Sequence, residues 1–324
     1  MPTAETPAAG QHRAHHEPMN RHGWLVIGGT IVGLLAAFLL VFGILIYKYR
    51  SDSRIVQIVA GIVPYPAEMV NGHSVSYADY LFEVNSIKHY YLSQTAANGK
   101  PAVDFSSASG KQQLVSLQKQ ELQALQQEAI VRQLATKYNL AVSNQEVQAQ
   151  VNQITKSAGG QAKVQSVLTK YYGWSVNDLK KKIRFQLLQQ KVTNKVQSDP
   201  GLNAQAKDKA ESILKQVKAG GDFATLAKQY SQDSSAANGG DLGFFSKSQV
   251  PANFANAVFA LQPGQVSGIL QTQYGYSIVK VIEYNADHSQ VHASEILIKS
   301  IDFNQYVQDQ LKSAKVHQYI HPAV

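Results

Sequence analysis

The chain has 324 residues, a formal net charge of +8 and no cysteine. The absence of cysteine excludes a lipid-modified cysteine anchor, and it fits an oxidising or thiol-free compartment without requiring one. The charge raises nucleic acid as a partner, but the densest basic run, at 180–184, lies on the polar side of an amphipathic helix, and no nucleic-acid motif accompanies it. We therefore predict no nucleic-acid partner and expect the charge to favour anionic headgroups or acidic polymers.

The amino-terminal part divides into a tail and an apolar run. Residues 1–23 form a predicted disordered tail, and we assign its histidines to that polar tail rather than to a metal site. Residues 24–47 contain no charged residue and are long enough to cross a hydrocarbon core of roughly 30 Å, with Trp24 and Tyr47 at the two ends. The run is too long for the apolar core of a cleaved signal peptide, so we predict an uncleaved signal anchor that binds the lipid bilayer.

Flanking charges do not fix the orientation of this anchor. The tail carries Arg13 and Arg21, and the other flank carries Lys48, Arg50 and Arg54. Because basic residues concentrate on the cytoplasmic side, this distribution by itself does not favour a carboxy-terminal part outside the cytoplasm.

Helical patterns dominate residues 55–197. A β-hairpin with an Asn-Gly turn is predicted over 67–75, followed by a capped helix over about 76–92 and a polar loop over 93–110. Three later helices are predicted, one over about 111–138 and two that begin at capping boxes, the pairs Ser143 with Glu146 and Ser175 with Asp178.

This order of segments resembles the SurA-type chaperone domain, including its Val-Asn-Gly opening at 70–72. The resemblance implies a domain that holds unfolded polypeptides. In such chaperones the carboxy-terminal segment returns to complete the amino-terminal domain. Residues 302–320 have apolar residues at helical spacing, so we predict a helix in 302–324 that docks on residues 55–197.

An ordered series of motifs fills residues 204–284. An amphipathic helix is predicted over 206–217, and Asp222 is the predicted cap of the next helix. A Gly-Gly-Asp-Leu-Gly-Phe-Phe segment follows at 239–245, then a short helix over 255–261 and a β-branched strand over 277–282. These elements predict a small α+β domain with helices packed on an antiparallel sheet.

The spaced residues of this series resemble the parvulins, a family of small prolyl cis/trans isomerases. The resemblance rests on the Tyr-Ser-Gln-Asp segment at 230–233, on the glycine-rich segment at 239–245 and on the Tyr-Gly-Tyr turn at 274–276. It implies isomerisation of X-Pro bonds and places the family's polar position on Asp233. It places the proline pocket on four apolar residues: Leu242, Val250, Phe254 and Phe259.

Two departures concern the histidines that parvulins usually carry. The last-strand position is Ser277, and no first strand precedes the first helix. Residues 292–298 resemble that first strand but follow the last one, and their histidine position is Glu295. Because the two strands are antiparallel neighbours in the family, a hairpin could restore the sheet by permutation. The candidate catalytic residues are therefore Asp233, Ser277 and Glu295, and the resemblance implies no cofactor or metal.

Together these readings predict an α+β protein with a cytoplasmic tail at 1–23, an anchor at 24–47, a chaperone domain at 55–197, a parvulin domain at 204–299 and a docking helix in 302–324. By resemblance to single-span proteins of this layout, the domains lie outside the cytoplasm. The predicted function is a foldase for proline-containing, unfolded or partly folded clients. A holdase whose parvulin domain binds without turnover is the alternative, and a scaffold at a secretion channel stays open.

Overall fold

A computed structural model describes residues 21–95 and 101–322, without the side chains of residues 21–31 and 33. Residues 1–20 of the predicted tail and 96–100 of the predicted polar loop therefore lie outside the described residues. Residues 21–23, which were assigned to the disordered tail, are instead helical. By internal contacts the chain divides into one unit that ends at Tyr65 and a second that runs from Pro66. The boundary predicted between a chaperone and a parvulin domain falls inside the second unit.

The described part of the first unit contains two helices, α1 (Arg21–Tyr47) and α2 (Arg54–Ile62). The Tyr65 hydroxyl donates to the Leu39 carbonyl over 2.9 Å and fastens the segment after α2 to α1. Among the residues that the structure describes, no helix combines the length and the apolar composition that a bilayer crossing requires. The predicted anchor at 24–47 therefore rests on the sequence alone.

The second unit begins with the predicted hairpin. Strand β1 (Pro66–Val70) pairs with β2 (His73–Ser76), and Asn71 and Gly72 form the turn with φ of 52° and 80°. Positive φ at both turn positions is the reason why Asn-Gly is favoured there. Helix α3 (Tyr77–Ser93) follows, and the Ser76 hydroxyl accepts from the Asp79 amide as predicted.

Four further helices build the helical part of this unit. They are α4 (Ala108–Lys137), α5 (Asn144–Ser157), α6 (Gln161–Val167) and α7 (Val176–Ser198), and a π-helical turn at Leu168–Tyr172 follows α6. Both predicted capping boxes are confirmed, since Ser143 with Glu146 opens α5 and Ser175 with Asp178 opens α7. The long helices α4 and α7 pack together, and Val192 and Val196 of α7 are fully buried.

Six elements form the next part of the unit. They are α8 (Ala204–Lys218), α9 (Phe223–Tyr230), β3 (Asp241–Ser246), α10 (Ala252–Val258), β4 (Leu270–Thr272) and β5 (Gly275–Tyr284). Asp222 caps α9 as predicted. The helix predicted over 255–261 instead begins at Ala252 and ends at Val258, because the chain turns before Pro263-Gly264, where Gly264 has a φ of 82°.

Strand β6 (Gln290–Lys299) completes a four-stranded antiparallel sheet of order β3-β6-β5-β4. It pairs with β5 from Gly275↔Lys299 to Tyr284↔Val291, and with β3 through Asp241↔Ser294 to Ser246↔Gln290. Helices α8 and α9 cover one face of the sheet, against Ile278 and Ile296. Helix α10 covers the other face.

The carboxy-terminal segment joins the first hairpin. Helix α11 (Phe303–Ser313) packs on α4 and α7, and strand β7 (Val316–Gln318) pairs antiparallel with β1 in a sheet of order β2-β1-β7. The predicted helix over 302–320 is therefore wrong beyond Ser313. The open edge of β1 offers backbone hydrogen bonds that the last residues satisfy as a strand.

Candidate functional site

The four apolar residues predicted to bind proline meet on one face of the sheet. Phe254 is buried, and Leu242, Val250 and Phe259 pack around it while remaining partly exposed. The ring centroid of Phe245 lies 6.1 Å from that of Phe254 and 6.3 Å from that of Phe259. Phe254 therefore supports the floor of the cluster, and its three partly exposed neighbours form the surface that a ligand could touch.

Short-range hydrogen bonds hold this apolar surface in position. A 3-10 turn at Lys247–Gln249 begins with a capping box in which the Ser246 amide donates to Gln249 Oε1 over 2.7 Å. The Asn253 side chain donates to the Gln271 carbonyl over 2.9 Å and ties α10 to β4. The amino-terminal end of α10 is thus tied to β4, directly after a turn that a capping box fixes at the end of β3.

Two predicted polar residues lie on the same face. In the β5–β6 ladder Val279 pairs with Glu295, and residues that pair across an antiparallel ladder share a face. Ser277 lies two positions before Val279, so it points to that face as well. Because Val279 belongs to the cluster around Phe254, the Glu295 and Ser277 side chains border the apolar surface.

Asp233 lies at the start of a 3-10 turn, Ser234–Asn238, and its carboxylate accepts from the Ser235 amide over 2.7 Å. The preceding residues attach this turn to β6. The Gln232 amide donates to the Leu297 carbonyl over 2.8 Å, and the Leu297 amide donates to Ser231 Oγ over 3.0 Å. The Asp233 carboxylate is thereby held beside the strand that carries Glu295.

The two carboxyl groups differ in their acidity. Burial raises the pKa of Glu295, and the negative charge of Asp233 raises it further, while the nearby Ser277 hydroxyl opposes the rise. That hydroxyl is fully buried and makes no hydrogen bond of standard geometry among the described residues. Burial also acts to raise the pKa of Asp233, but hydrogen bonds from Ser235 and the charge of Lys299 outweigh it and lower this pKa. Glu295 therefore binds a proton more tightly than Asp233 does.

Sequence reasoning missed several residues that shape the site. In the half of β6 that β3 does not reach, backbone groups form hydrogen bonds with Ser231, Gln232 and Gly240. The Glu295 amide, for example, donates to the Gly240 carbonyl over 2.8 Å. A Cβ on Gly240 would lie 2.3 Å from the Glu295 carbonyl oxygen. The adjacent glycines at 239 and 240 were the available signal, because such a close approach of two backbones requires glycine.

Asn203 was also missed, and it fixes the junction before α8. Its side-chain amide is buried and donates to the carbonyls of Val196 and Asp199, at 3.0 and 2.9 Å. Its Oδ1 accepts from the Ile301 amide over 2.8 Å. The asparagine therefore joins the end of α7 to the segment that leaves β6. No periodic pattern in the sequence marks such a contact.

The family described as SurA-like N-terminal domain matches residues 17–193, which is more than half of the sequence. The chain belongs to this SurA-like family. A second family, described as PPIC-type PPIASE domain, or rotamase, matches residues 187–283. The candidate site lies within or beside that second match, and β6 with Glu295 follows it.

Two relatives are each similar to part of the chain. The Bacillus subtilis protein named Foldase protein PrsA is 35% identical over 165 residues, which is 44% of this chain and 56% of that protein. A Burkholderia thailandensis protein named Chaperone SurA is 46% identical over 79 residues, 24% of this chain and 18% of the relative. The matches thus span little more than half of the first relative and less than a fifth of the second.

A solved structure of peptidylprolyl isomerase PrsA from Bacillus anthracis is similar to this SurA-like chain at 23% identity. It covers 58% of this chain and 83% of its own, with a TM-score of 0.23.

Proposed function

We propose that the protein is a foldase that isomerises X-Pro bonds of client polypeptides in residues 204–299 and holds unfolded segments on residues 55–197. The observation that carries the proposal is the apolar surface of Leu242, Val250 and Phe259. This surface lies within the residues matched to the rotamase family and on the face of the sheet that carries Glu295. The names of the Bacillus subtilis and Burkholderia relatives support the same activity.

The chemistry requires no covalent bond to the client. An X-Pro amide isomerises over a barrier of roughly 20 kcal/mol because rotation breaks amide conjugation. An apolar surface that takes the proline ring and displaces water favours the twisted amide, which is less polar than the planar one. Burial favours the protonated form of Glu295, which can donate a hydrogen bond to the prolyl carbonyl or nitrogen, and the negative charge of Asp233 acts in the same direction.

We also propose that β6 takes the place of the first parvulin strand. Its support is the sheet order, in which β6 lies between β3 and β5 although it follows both in the chain. The hairpin from β5 to β6 allows this arrangement because the two strands are antiparallel neighbours. In this proposal Glu295 and Ser277 occupy the two histidine positions of the family.

The second candidate is a holdase whose rotamase-like part binds clients without turnover. The full burial of Ser277 favours it, since that hydroxyl cannot touch a client in this conformation. The first candidate is preferred because the Asp233 and Glu295 carboxyls have different proton affinities beside the apolar surface.

An exchange measurement separates the two candidates. We would follow cis/trans exchange in a short X-Pro peptide by NMR with the full chain in a mild detergent, beside Leu242→Ala and Asp233→Asn. Phe244→Ala is the matched control, because Phe244 is 45% exposed and lies on the same strand. Loss of exchange in both variants with an active control supports the isomerase. No exchange above background in the wild type, together with suppressed client aggregation, contradicts it in favour of the holdase.

For location, we propose a single-pass anchor over residues 24–47, with the remaining domains outside the cytoplasm. Its support is the uncharged sequence of that run. Membranes from cells that express the full chain would be washed at alkaline pH and treated with protease from outside. Retention in the membrane and cleavage of the carboxy-terminal part are expected. Release by the wash contradicts the anchor, and protection from protease contradicts the orientation.

A further inference from the structure

A second cleft lies in the helical part of the second unit, between α3, α4 and the segment after the π-helical turn. Its volume is about 290 Å³, and its walls include three aromatic residues, Tyr90, Tyr172 and Trp174, and two acids, Glu83 and Glu121. The candidate site described above uses none of these residues.

Hydrogen bonds and backbone geometry hold the aromatic wall in place. The Trp174 indole N–H donates to Ser86 Oγ over 2.6 Å, and the His89 ring binds the Lys170 carbonyl over 3.1 Å. Gly173 has a φ of 69°, and a Cβ there would lie 3.4 Å from the His89 ring. The turn therefore presents the rings on either side of Gly173 in fixed positions.

The rings form a continuous row. The Tyr90 and Tyr172 centroids are 5.7 Å apart with an interplanar angle of 17°, and those of Tyr172 and Trp174 are 5.1 Å apart. Phe82 continues the row, with its ring 5.7 Å from that of Trp174. The faces of such rings carry negative potential, which attracts cations.

The structure already contains one lysine bound by this chemistry. Lys182 of α7 forms an ion pair with Glu83, and its ammonium lies 5.8 Å from the Phe82 centroid and 5.9 Å from that of Trp174. Within the cleft, Trp174 and Glu83 are joined by Glu121 and two tyrosines, so the cleft repeats the same combination of carboxylate and ring faces.

Charge in the cleft is incompletely neutralised. Glu83 forms an ion pair with Lys182. Among the described residues, no hydrogen bond lowers the pKa of Glu121. Burial raises the pKa of Glu121, and the charge of Glu83 raises it further, although Lys182 opposes both. A second cation would therefore stabilise the ionised form of Glu121 and would also contact the rings.

We propose that this cleft binds a lysine or arginine side chain of an unfolded client polypeptide. The inference rests on the proposed holdase role of the helical part and names the chemistry of the client segment that binds there. A basic side chain enters the cleft beside the stacked rings of Tyr90 and Tyr172, and its charge pairs with Glu121. Client segments that combine a basic residue with flexible backbone are thus favoured over acidic or neutral ones.

Fluorescence anisotropy with dye-labelled, proline-free peptides tests the proposal on the full chain in a mild detergent. One peptide carries a central lysine, a second carries norleucine at that position, and a third carries glutamate. We expect the lysine peptide to bind about tenfold more tightly than the norleucine peptide, since a desolvated cation–π contact with an ion pair supplies on the order of 1.4 kcal/mol. Equal affinity for the lysine and norleucine peptides overturns the proposal.

Three variants locate the effect. Glu121→Gln is expected to abolish the preference for lysine without lowering the melting temperature, because the charged form of Glu121 is already disfavoured. Tyr90→Leu is expected to weaken the lysine peptide, and Tyr90→Phe to retain it. Glu211→Gln, the same change at a half-exposed position of α8, is the matched control and should leave binding unchanged. The assignment is overturned if Glu121→Gln keeps the wild-type preference for the lysine peptide, or if Glu211→Gln loses that preference to the same extent.

Proline-free peptides keep this test separate from the foldase proposal. In parallel, cis/trans exchange would be measured in an X-Pro peptide that lacks basic residues. Suppression of aggregation would be measured with a client that also lacks them. Lysine binding without either activity supports the cleft and contradicts the foldase. Both activities without lysine preference contradict the cleft alone.

Discussion

Asn71 and Lys315 form two hydrogen bonds although they are 244 positions apart in the chain. The Asn71 amide donates to the Lys315 carbonyl over 2.9 Å, and Asn71 Oδ1 accepts from the Lys315 amide over 3.0 Å. This pair closes the helical part of the second unit, because the next residues on both sides form the β1–β7 ladder. In sequence, the residues of β3 to β6 therefore lie between two strands of one sheet, β2 and β7.

Replacing the Asn71 side chain should loosen this closure. Asn71→Gly keeps the positive φ but removes the side chain that accepts from the Lys315 amide and donates to Gln133 Oε1, so we expect the free energy of unfolding to fall by about 1–2 kcal/mol. Urea denaturation measures the loss. Asn139→Gly is the matched control, because Asn139 also has a φ of 52°. An equal change in both variants would show that the bond to Lys315 contributes nothing.

Gly240 should tolerate alanine much less well than Gly264 does. Both residues have a φ of 82°, but a Cβ on Gly240 would meet the Glu295 carbonyl at 2.3 Å, and one on Gly264 meets nothing within 4 Å. Gly264→Ala should cost about 1 kcal/mol for the backbone conformation alone. Gly240→Ala should cost at least about 2 kcal/mol more by analogy with overpacked cores. Chemical denaturation of the two variants provides the comparison, and similar losses would contradict the close approach to β6.

Ser231 should stabilise β6 and position Asp233. Its hydroxyl accepts from the Leu297 amide, so Ser231→Ala leaves a buried N–H unsatisfied and should cost about 1–3 kcal/mol. Hydrogen exchange at the Leu297 amide should become faster in the variant. Ser93→Ala, at an exposed hydroxyl, provides the reference. Unchanged exchange at Leu297 would be incompatible with this role.

Glu295 should make stability depend on pH. Because the folded pKa of Glu295 lies above its ordinary value of 4.5, its contribution to stability is present below the unfolded pKa and is lost as pH rises through the folded pKa. Glu295→Gln should therefore flatten the decline of stability with pH above the ordinary value. Urea denaturation at a series of pH values tests this, with Glu211→Gln as the control. A decline as steep as in the wild type would contradict the raised pKa.

Local signals made much of the fold predictable. The caps at Ser143, Ser175 and Asp222 bind backbone amides within three residues, so the sequence contains both partners of each bond. The Asn71-Gly72 turn is equally local, since it depends on the φ values that these two residue types allow. The apolar residues around Phe254 were assigned by resemblance, because their order along the chain is similar to that of the parvulin family.

The sequence by itself determined where helices begin, where the first hairpin turns and which side chains are available for an apolar surface beside carboxyl groups. Only the tertiary structure decided that β6 lies between β3 and β5, that residues after Ser313 continue as strand β7 instead of a helix, and that Ser231 and Gly240 bond to β6. The physical reason is that a cap or turn is satisfied by neighbours in sequence. A strand edge takes whichever distant segment satisfies its backbone groups while burying apolar side chains on the adjoining faces.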